Sequence, residues 1–230
     1  MAIKFTPALR GLGVCALFAA LTTFLNTMAP KFYEANGFDA AAALIYNPIY
    51  AARQWILLVH PAFTLLLALG FTLAIFERSP GRASSGLAFA GVEKMTEFVL
   101  GVLILFVVNA QWKASYLVGD GSVSAEDLRG RIQIFYELLS GLYFLLWSMF
   151  ILSTGLLVSA LNRTDSLELA VILTAGLTIL LTVFLILGRY AGMSAWTDSI
   201  VYWSYGPVLT VHRLLIGFWL LRQSSLLSCR

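Results

Sequence analysis

Six stretches of this chain are each long and apolar enough to cross a lipid bilayer, and that property limits what it can fold into more than any other. A helix rising 1.5 Å per residue needs about 20 largely apolar residues to cross a hydrocarbon layer of about 30 Å. Residues 8–28, 52–76, 86–110, 131–160, 167–189 and 203–222 meet that requirement. The expected fold is all-α, a polytopic transmembrane bundle of about six spans forming a single domain over 1–230. Of the 230 residues, 60% are apolar and only 12% charged, and the mean hydropathy is +0.85. So few charged side chains cannot build the polar shell of a water-soluble fold of this size, so the apolar surface faces lipid.

The net charge of +3 comes with no basic patch, which argues against a nucleic-acid partner. Cys15 and Cys229 are too few and too differently placed for a disulfide framework or a metal cage. Lys4 and Arg10 precede the first apolar run, as they would in a cleaved signal peptide. The run from Gly11 to Met28 is long enough to span, however, and five further spans follow it.

The residues between the runs read as helix boundaries. Pro80 and Gly81 break the chain after the second span, and Ser84 or Ser85 is placed to cap the third. Asp165 with Glu168 three residues on reads as a capping box, and Ser124, Glu126 and Asp127 suit a first turn. Pro207 falls where a first helical turn would tolerate it. The first and third connections are the longest and share one side, where Tyr33, Tyr46, Tyr50, Trp55, Trp112 and Tyr116 form an aromatic boundary.

Lys4, Arg10, Arg78, Arg82, Arg163, Arg222 and Arg230 flank one face; Lys31, Arg53, Lys113, Arg129, Arg131 and Arg189 flank the other. The second group lies in longer loops diluted by Glu34, Asp39, Asp120, Glu126 and Asp127, which favours cytoplasmic termini. The two halves of the chain do not echo one another, which weakens an inverted-repeat transporter reading.

The informative residues are ionisable ones inside spans: Glu93, Lys94 and Glu97 in the third, Glu137 in the fourth, and His212 with Arg213 in the sixth. Each charge near mid-membrane costs roughly 2.5–3.5 kcal/mol on insertion scales, so each is expected to face inward and find a partner. Gly86, Ala90, Glu93, Glu97 and Gly101 share one helical face, as do Gly206, Thr210, Arg213 and Gly217. Depth counting puts Glu97 and Arg213 together near mid-membrane, and a pair between them is the central expectation. Lys94 is expected to snorkel or pair toward the cytoplasmic side. A pair between Glu137 and Arg189 is the weaker of the two.

Glu93, Glu97, Glu137 and Arg213 are therefore the candidate ligand- or ion-binding residues, with no catalytic or metal-binding residue assigned. Two histidines cannot build a three-histidine zinc site, and no H-E-x-x-H, G-x-S-x-G or C-x-x-C motif is present. His60 and His212 could in principle supply two axial nitrogens to a haem, but no cofactor is expected.

The segment G-V-E-K-M-T-E-F-V-L-G-V-L-I-L-F-V-V, followed after a polar loop by R-I-Q-I-F-Y-E-L-L-S-G-L-Y-F-L-L, resembles a family of uncharacterised bacterial six-span membrane proteins with a domain of unknown function. R-L-L-I-G-F-W-L-L, from Arg213 to Leu221, is similar to that family's last span. The resemblance covers about half the chain and implies a bacterial origin and a six-helix fold; it supplies no activity, and the expected location is the bacterial inner membrane. An intramembrane enzyme, which would need a water-filled cavity reaching Glu93 or Glu137, comes third, and two functions lead. One is small-molecule or proton-coupled binding or transport through the Glu/Arg site. The other is an accessory subunit or assembly factor of a membrane complex, whose internal ion pairs only brace helices.

Overall fold

The computed structural model describes residues 6–119 and 123–228; Lys4, Asp120, Cys229 and Arg230 fall outside them. Among the described residues every element is helical: α1 (Thr6–Met28), α2 (Phe38–Ala43), α3 (Pro48–Ile75), α4 (Pro80–Val102), α5 (Ala114–Val118), α6 (Ala125–Val158), α7 (Ser166–Tyr190) and α8 (Ser194–Ser228). A wider π-helical segment, Leu103–Lys113, carries α4 on into α5. Four segments are long and apolar enough to cross a membrane: Pro7–Phe32, Pro48–Ile75, Ala125–Val158 and Ser166–Tyr190. The chain is an integral membrane protein. The helices at the expected third and sixth spans, α4 and α8, are not among these four. α4 carries Arg82, Glu93, Lys94 and Glu97, and α8 carries Arg213. Their exposed side chains are nonetheless largely apolar, including Met95, Phe98 and Val99 on α4 and Val211 and Phe218 on α8.

The helix starts follow their caps, with three corrections to the sequence reading. Asn47 accepts from the backbone N–H groups of Ile49 and Tyr50 to begin α3, and Ser124 accepts from Asp127 N–H to begin α6. α4 begins at Pro80 after Ser79, well before Ser84 and Ser85, because proline suits a first turn whose N–H has no helical acceptor. Asp165 caps α7 by accepting from Leu167 and Glu168 N–H, but Glu168 does not complete a capping box. Its buried carboxylate accepts from Arg78 at 2.8 and 3.0 Å, from Asn162 N–H at 2.5 Å and from Trp219 Nε1 at 3.2 Å. α8 begins at Ser194, so Pro207 lies inside it rather than in its first turn.

The six long helices pack in chain order around a closed ring, with α1 against α3, α3 against α4, α4 against α6, α6 against α7, α7 against α8 and α8 back against α1. The α1–α8 seam is close because Gly217 brings its backbone against Leu17 and the Gly13 carbonyl; a Cβ there would sit 2.8 Å from Leu17 Cδ2. Packing differs between the two ends. At the end holding both termini, Phe71, Ile75, Leu157, Val171, Trp219 and Leu220 fill the interior, with Phe71 edge-on to Trp219 at 5.0 Å. Toward the other end the buried apolar cluster shrinks to Leu100, Leu139 and Leu146. The interior of that half is hollow and carries a group of polar and charged side chains among apolar ones.

Candidate functional site

The hollow is a cavity of about 210 Å³ inside the ring, lined by side chains of α1, α3, α4, α6 and α8 and by the start of the π-helical segment. Its chemistry begins on α4. Glu93, Lys94 and Glu97 lie within a stretch of five residues, and Lys94 Nζ donates to Glu93 Oε1 at 2.5 Å and to Glu97 Oε2 at 3.0 Å. Lys94 is thus the partner of both acids and does not snorkel. Its four-carbon stem reaches sideways from a position off the Glu93–Glu97 stripe, a freedom that face arithmetic ignores. The Glu93 and Lys94 side chains are 9% and 8% exposed, whereas Glu97 keeps 21% and so looks into the cavity.

Arg213 enters from α8, but the expected pair with Glu97 does not form. No Arg213 nitrogen lies within 4.0 Å of a carboxylate oxygen among the described residues. Nη1 instead donates to Thr23 Oγ1 and, at 2.9 Å, to His60 Nε2. His60 stands between the two expected partners, with Nε2 4.0 Å from Glu97 Oε1. Arginine can only donate, so His60 Nε2 must offer its lone pair and Nδ1 carries the proton. Nδ1 then donates to Thr22 Oγ1 at 2.8 Å, while the threonine hydroxyl donates to the Phe18 or Ala19 carbonyl. The remaining guanidinium nitrogens, Nε and Nη2, have no hydrogen-bond partner among the described residues, and Arg213 is one of the residues lining the cavity.

A second arginine, Arg53, lines the cavity nearer the loop end. Its Nε donates to the Asn26 carbonyl and side-chain oxygens at 3.2 and 3.1 Å, and its Nη1 to Tyr33 Oη at 3.2 Å. All three acceptors are neutral. The cavity therefore holds two arginines with no carboxylate in contact, while its two acids are both engaged by Lys94. Leu57, Leu100, Ile104, Leu146, Trp147 and Phe150 supply apolar walls. Because Pro61 has no N–H, the Leu57 carbonyl one turn earlier loses its helical donor, and Gly101 of α4 packs against that carbonyl.

Behind this site lies a smaller cavity of about 50 Å³, lined in part by Thr64, Ser153, Thr154 and His212. Glu93, Lys94, Phe150 and Arg213 line both cavities and form the partition between them.

Of the sequence candidates, Glu93, Glu97 and Arg213 come together and Glu137 does not. Glu137 is exposed on α6 and lies outside both cavities. α6 has 34 residues, about 51 Å of helix, and is longer than a hydrocarbon layer of about 30 Å requires. Arg189 does not meet Glu137 either. It donates to Ser140 Oγ at 3.1 Å and lies over the Tyr143 ring at 5.3 Å. Both ring nitrogens of His60 have protein partners, and His212 Nδ1 meets Thr174 Oγ1 at 3.1 Å. His60 therefore presents no free ring nitrogen to a haem iron. Among the described residues no group of three or more His, Cys, Asp or Glu is placed to hold a metal.

The sequence reading missed Thr22, Thr23, Asn26, Thr27 and Arg53. A signal was there: the four polar residues of α1 recur at helical spacing in an otherwise apolar run, marking the face that looks inward. The chain matches no protein-family model, no curated protein and no solved structure.

Proposed function

We propose that the protein binds, and moves through the membrane, a small anionic molecule held at the Arg213 end of the internal cavity. The observation that carries this reading is the incomplete pairing of Arg213. A buried guanidinium is costly to keep unless it is paired, and here the nearby acids are taken by Lys94, two of its nitrogens have no hydrogen-bond partner among the described residues, and the residue lines a cavity. A carboxylate or phosphate would supply the missing acceptors in the bidentate geometry arginine favours. Glu97, facing the same space, is the proton carrier or counter-charge of the site. The partition made by Glu93, Lys94 and Arg213, with space on both sides, favours transport over simple binding.

The proposal takes α4 and α8 as the third and sixth spans, on the strength of their apolar exposed faces and the closed ring. It places the protein in a bacterial inner membrane with both termini cytoplasmic, on the resemblance and the loop charges set out above. The bracing reading loses ground because Glu93, Lys94 and Glu97 all sit on α4; their ion pairs tie no two helices together. Helix-to-helix polar contacts at this level run through Thr22, Thr23, His60 and Arg213.

Titration of the purified protein with sodium acetate against sodium chloride at fixed ionic strength tests the site. Trp147, in the cavity wall, reports by fluorescence, and melting temperature reports by linkage. Wild type is expected to respond saturably and Arg213→Gln not at all, with proteoliposome uptake following the same order. A wild type that ignores the organic anion, or a variant that responds equally, removes the site. A stable protein partner on mild extraction, with Glu97→Gln impairing stability alone, would support the accessory-subunit reading.

A further inference from the structure

We infer that the anion is amphipathic and reaches the internal site sideways from the bilayer, its apolar tail in a groove between α1 and α3 and its headgroup on Arg53. This rests on the anion site above and adds the ligand's class and its route. The groove lies on the outside of the bundle, encloses about 490 Å³, and is lined by Phe24, Met28, Phe32, Ile49, Ala52 and Ile56. That volume falls within the roughly 300–1,000 Å³ of small-molecule sites. Its walls run from Phe24 to Phe32 and from Pro48 to Ile56, about 12 Å along each helix.

Arg53 lines both the groove and the internal cavity, and so forms the wall between them. Arg53 lies along one wall of the groove, with its guanidinium held only by the neutral Asn26 and Tyr33 between groove and cavity, which suits an anionic headgroup attached to an apolar chain. Neutral lipid tails would fill the groove and leave the arginine without a counter-charge.

The axial routes are less open. Toward the termini, the cluster around Phe71 and Trp219 fills the interior. Toward the loops, Tyr50, Asn109 and Lys113 form a buried layer, 7%, 6% and 3% exposed, one to two turns beyond the cavity residues Arg53 and Ile104. There Tyr50 Oη donates to Asn109 Oδ1 at 3.1 Å, and Lys113 Nζ donates to the Ala41 carbonyl of α2 at 3.2 Å, fastening the first connection over the bundle. Arg53 and its neutral partners are the thinner barrier. Movement of Arg53 off Asn26 would join groove to cavity and bring the headgroup toward Arg213.

The test measures binding of labelled dodecanoate, dodecanol and acetate to the full chain in nanodiscs of zwitterionic lipid, with empty discs subtracted. Dodecanoate is expected to bind at least tenfold more tightly than acetate or dodecanol. Ala52→Trp, which fills the groove from its lipid side, is expected to weaken dodecanoate at least tenfold and leave acetate unchanged, and Ile49→Trp to do the same at a second wall. Arg53→Gln is expected to weaken dodecanoate likewise. Equal binding of acetate and dodecanoate, indifferent to both tryptophans, overturns the lateral route and leaves the anion site standing. Dodecanol binding as tightly as dodecanoate makes the groove an ordinary lipid contact and also overturns the inference. Absence of both anions, with Arg213→Gln no different from wild type, overturns the anion site itself.

Discussion

Arg213 donates to His60 Nε2 across 2.9 Å, and that one bond fixes the histidine as the neutral tautomer protonated on Nδ1. It also leaves the arginine without a carboxylate in contact, while Lys94 holds two. The two buried cations are therefore expected to respond differently to removal. Lys94→Met strips Glu93 and Glu97 of their direct partner, and breaking a buried pair in this way costs about 3–5 kcal/mol. Arg213→Met leaves His60 and Thr23 without a donor but breaks no ion pair, and is expected to cost about 1 kcal/mol, an ordinary loss. Unfolding of the two variants in mixed micelles checks the order, and an Arg213 variant as damaged as the Lys94 variant contradicts it.

Coupling energies make the same geometry measurable pair by pair. In a double-mutant cycle, Lys94→Met with Glu97→Gln is expected to show a coupling of about 0.5–3 kcal/mol, typical of residues in direct contact. Arg213→Gln with Glu97→Gln is expected to fall below about 0.5 kcal/mol, because His60 stands between them. The reverse ranking would mean that the charges pair across helices after all.

The six long helices were legible in the sequence because hydropathy reports the apolar middle of each one, and small residues beside charges gave the inward faces of α4 and α8. Helix ends were less legible. α4 and α8 begin several residues before their apolar windows, since polar turns flanking an apolar run can be as helical as the run itself. At the site, spacing on one helix placed Glu93, Glu97 and Arg213 inward, but spacing cannot say which long side chain reaches which neighbour. Lys94 won both carboxylates through its flexible stem, and His60, read as structural or as a haem ligand, intervened from a helix whose angular position no single-helix pattern fixes. Glu137 looked equivalent to Glu97 because an apolar run does not show which face of α6 turns to the interior, and Glu137 falls on an exposed one.

At the other end of the bundle, Glu168 accepts from Trp219 Nε1 and from Arg78. Arg78 is 44% exposed and finds water when released, whereas Trp219 is fully buried. Glu168→Leu is thus expected to destabilise by about 1–3 kcal/mol, the cost of leaving one buried donor unmet. Adding Trp219→Phe, which removes that donor, is expected to recover part of the loss. Anion binding at Arg213 is expected to stay intact in both. Additive losses in the two variants, read from thermal unfolding, would show that the indole bond contributes nothing.

Lys113 lies beyond the apolar stretch of residues 86–110, buried under α2 and with no carboxylate beside it among the described residues. Burial alone lowers its pKa from 10.5 to about 8. In the unfolded chain the amine keeps its proton up to about pH 10.5, so between pH 8 and 10.5 the unfolded state binds more protons than the folded one. Stability therefore rises with pH across that window, and below pH 8 the folded protein bears the full cost of a buried ammonium. Thermal unfolding of the wild type is expected to move to higher temperature between pH 8 and 10. Lys113→Met is expected to flatten that rise and, at pH 7, to match or exceed the wild type despite losing the bonds to the Ala41 carbonyl and Tyr50. A wild type whose melting temperature is level or falling over this range, with the variant no flatter, would mean that the amine has water or an anion beside it.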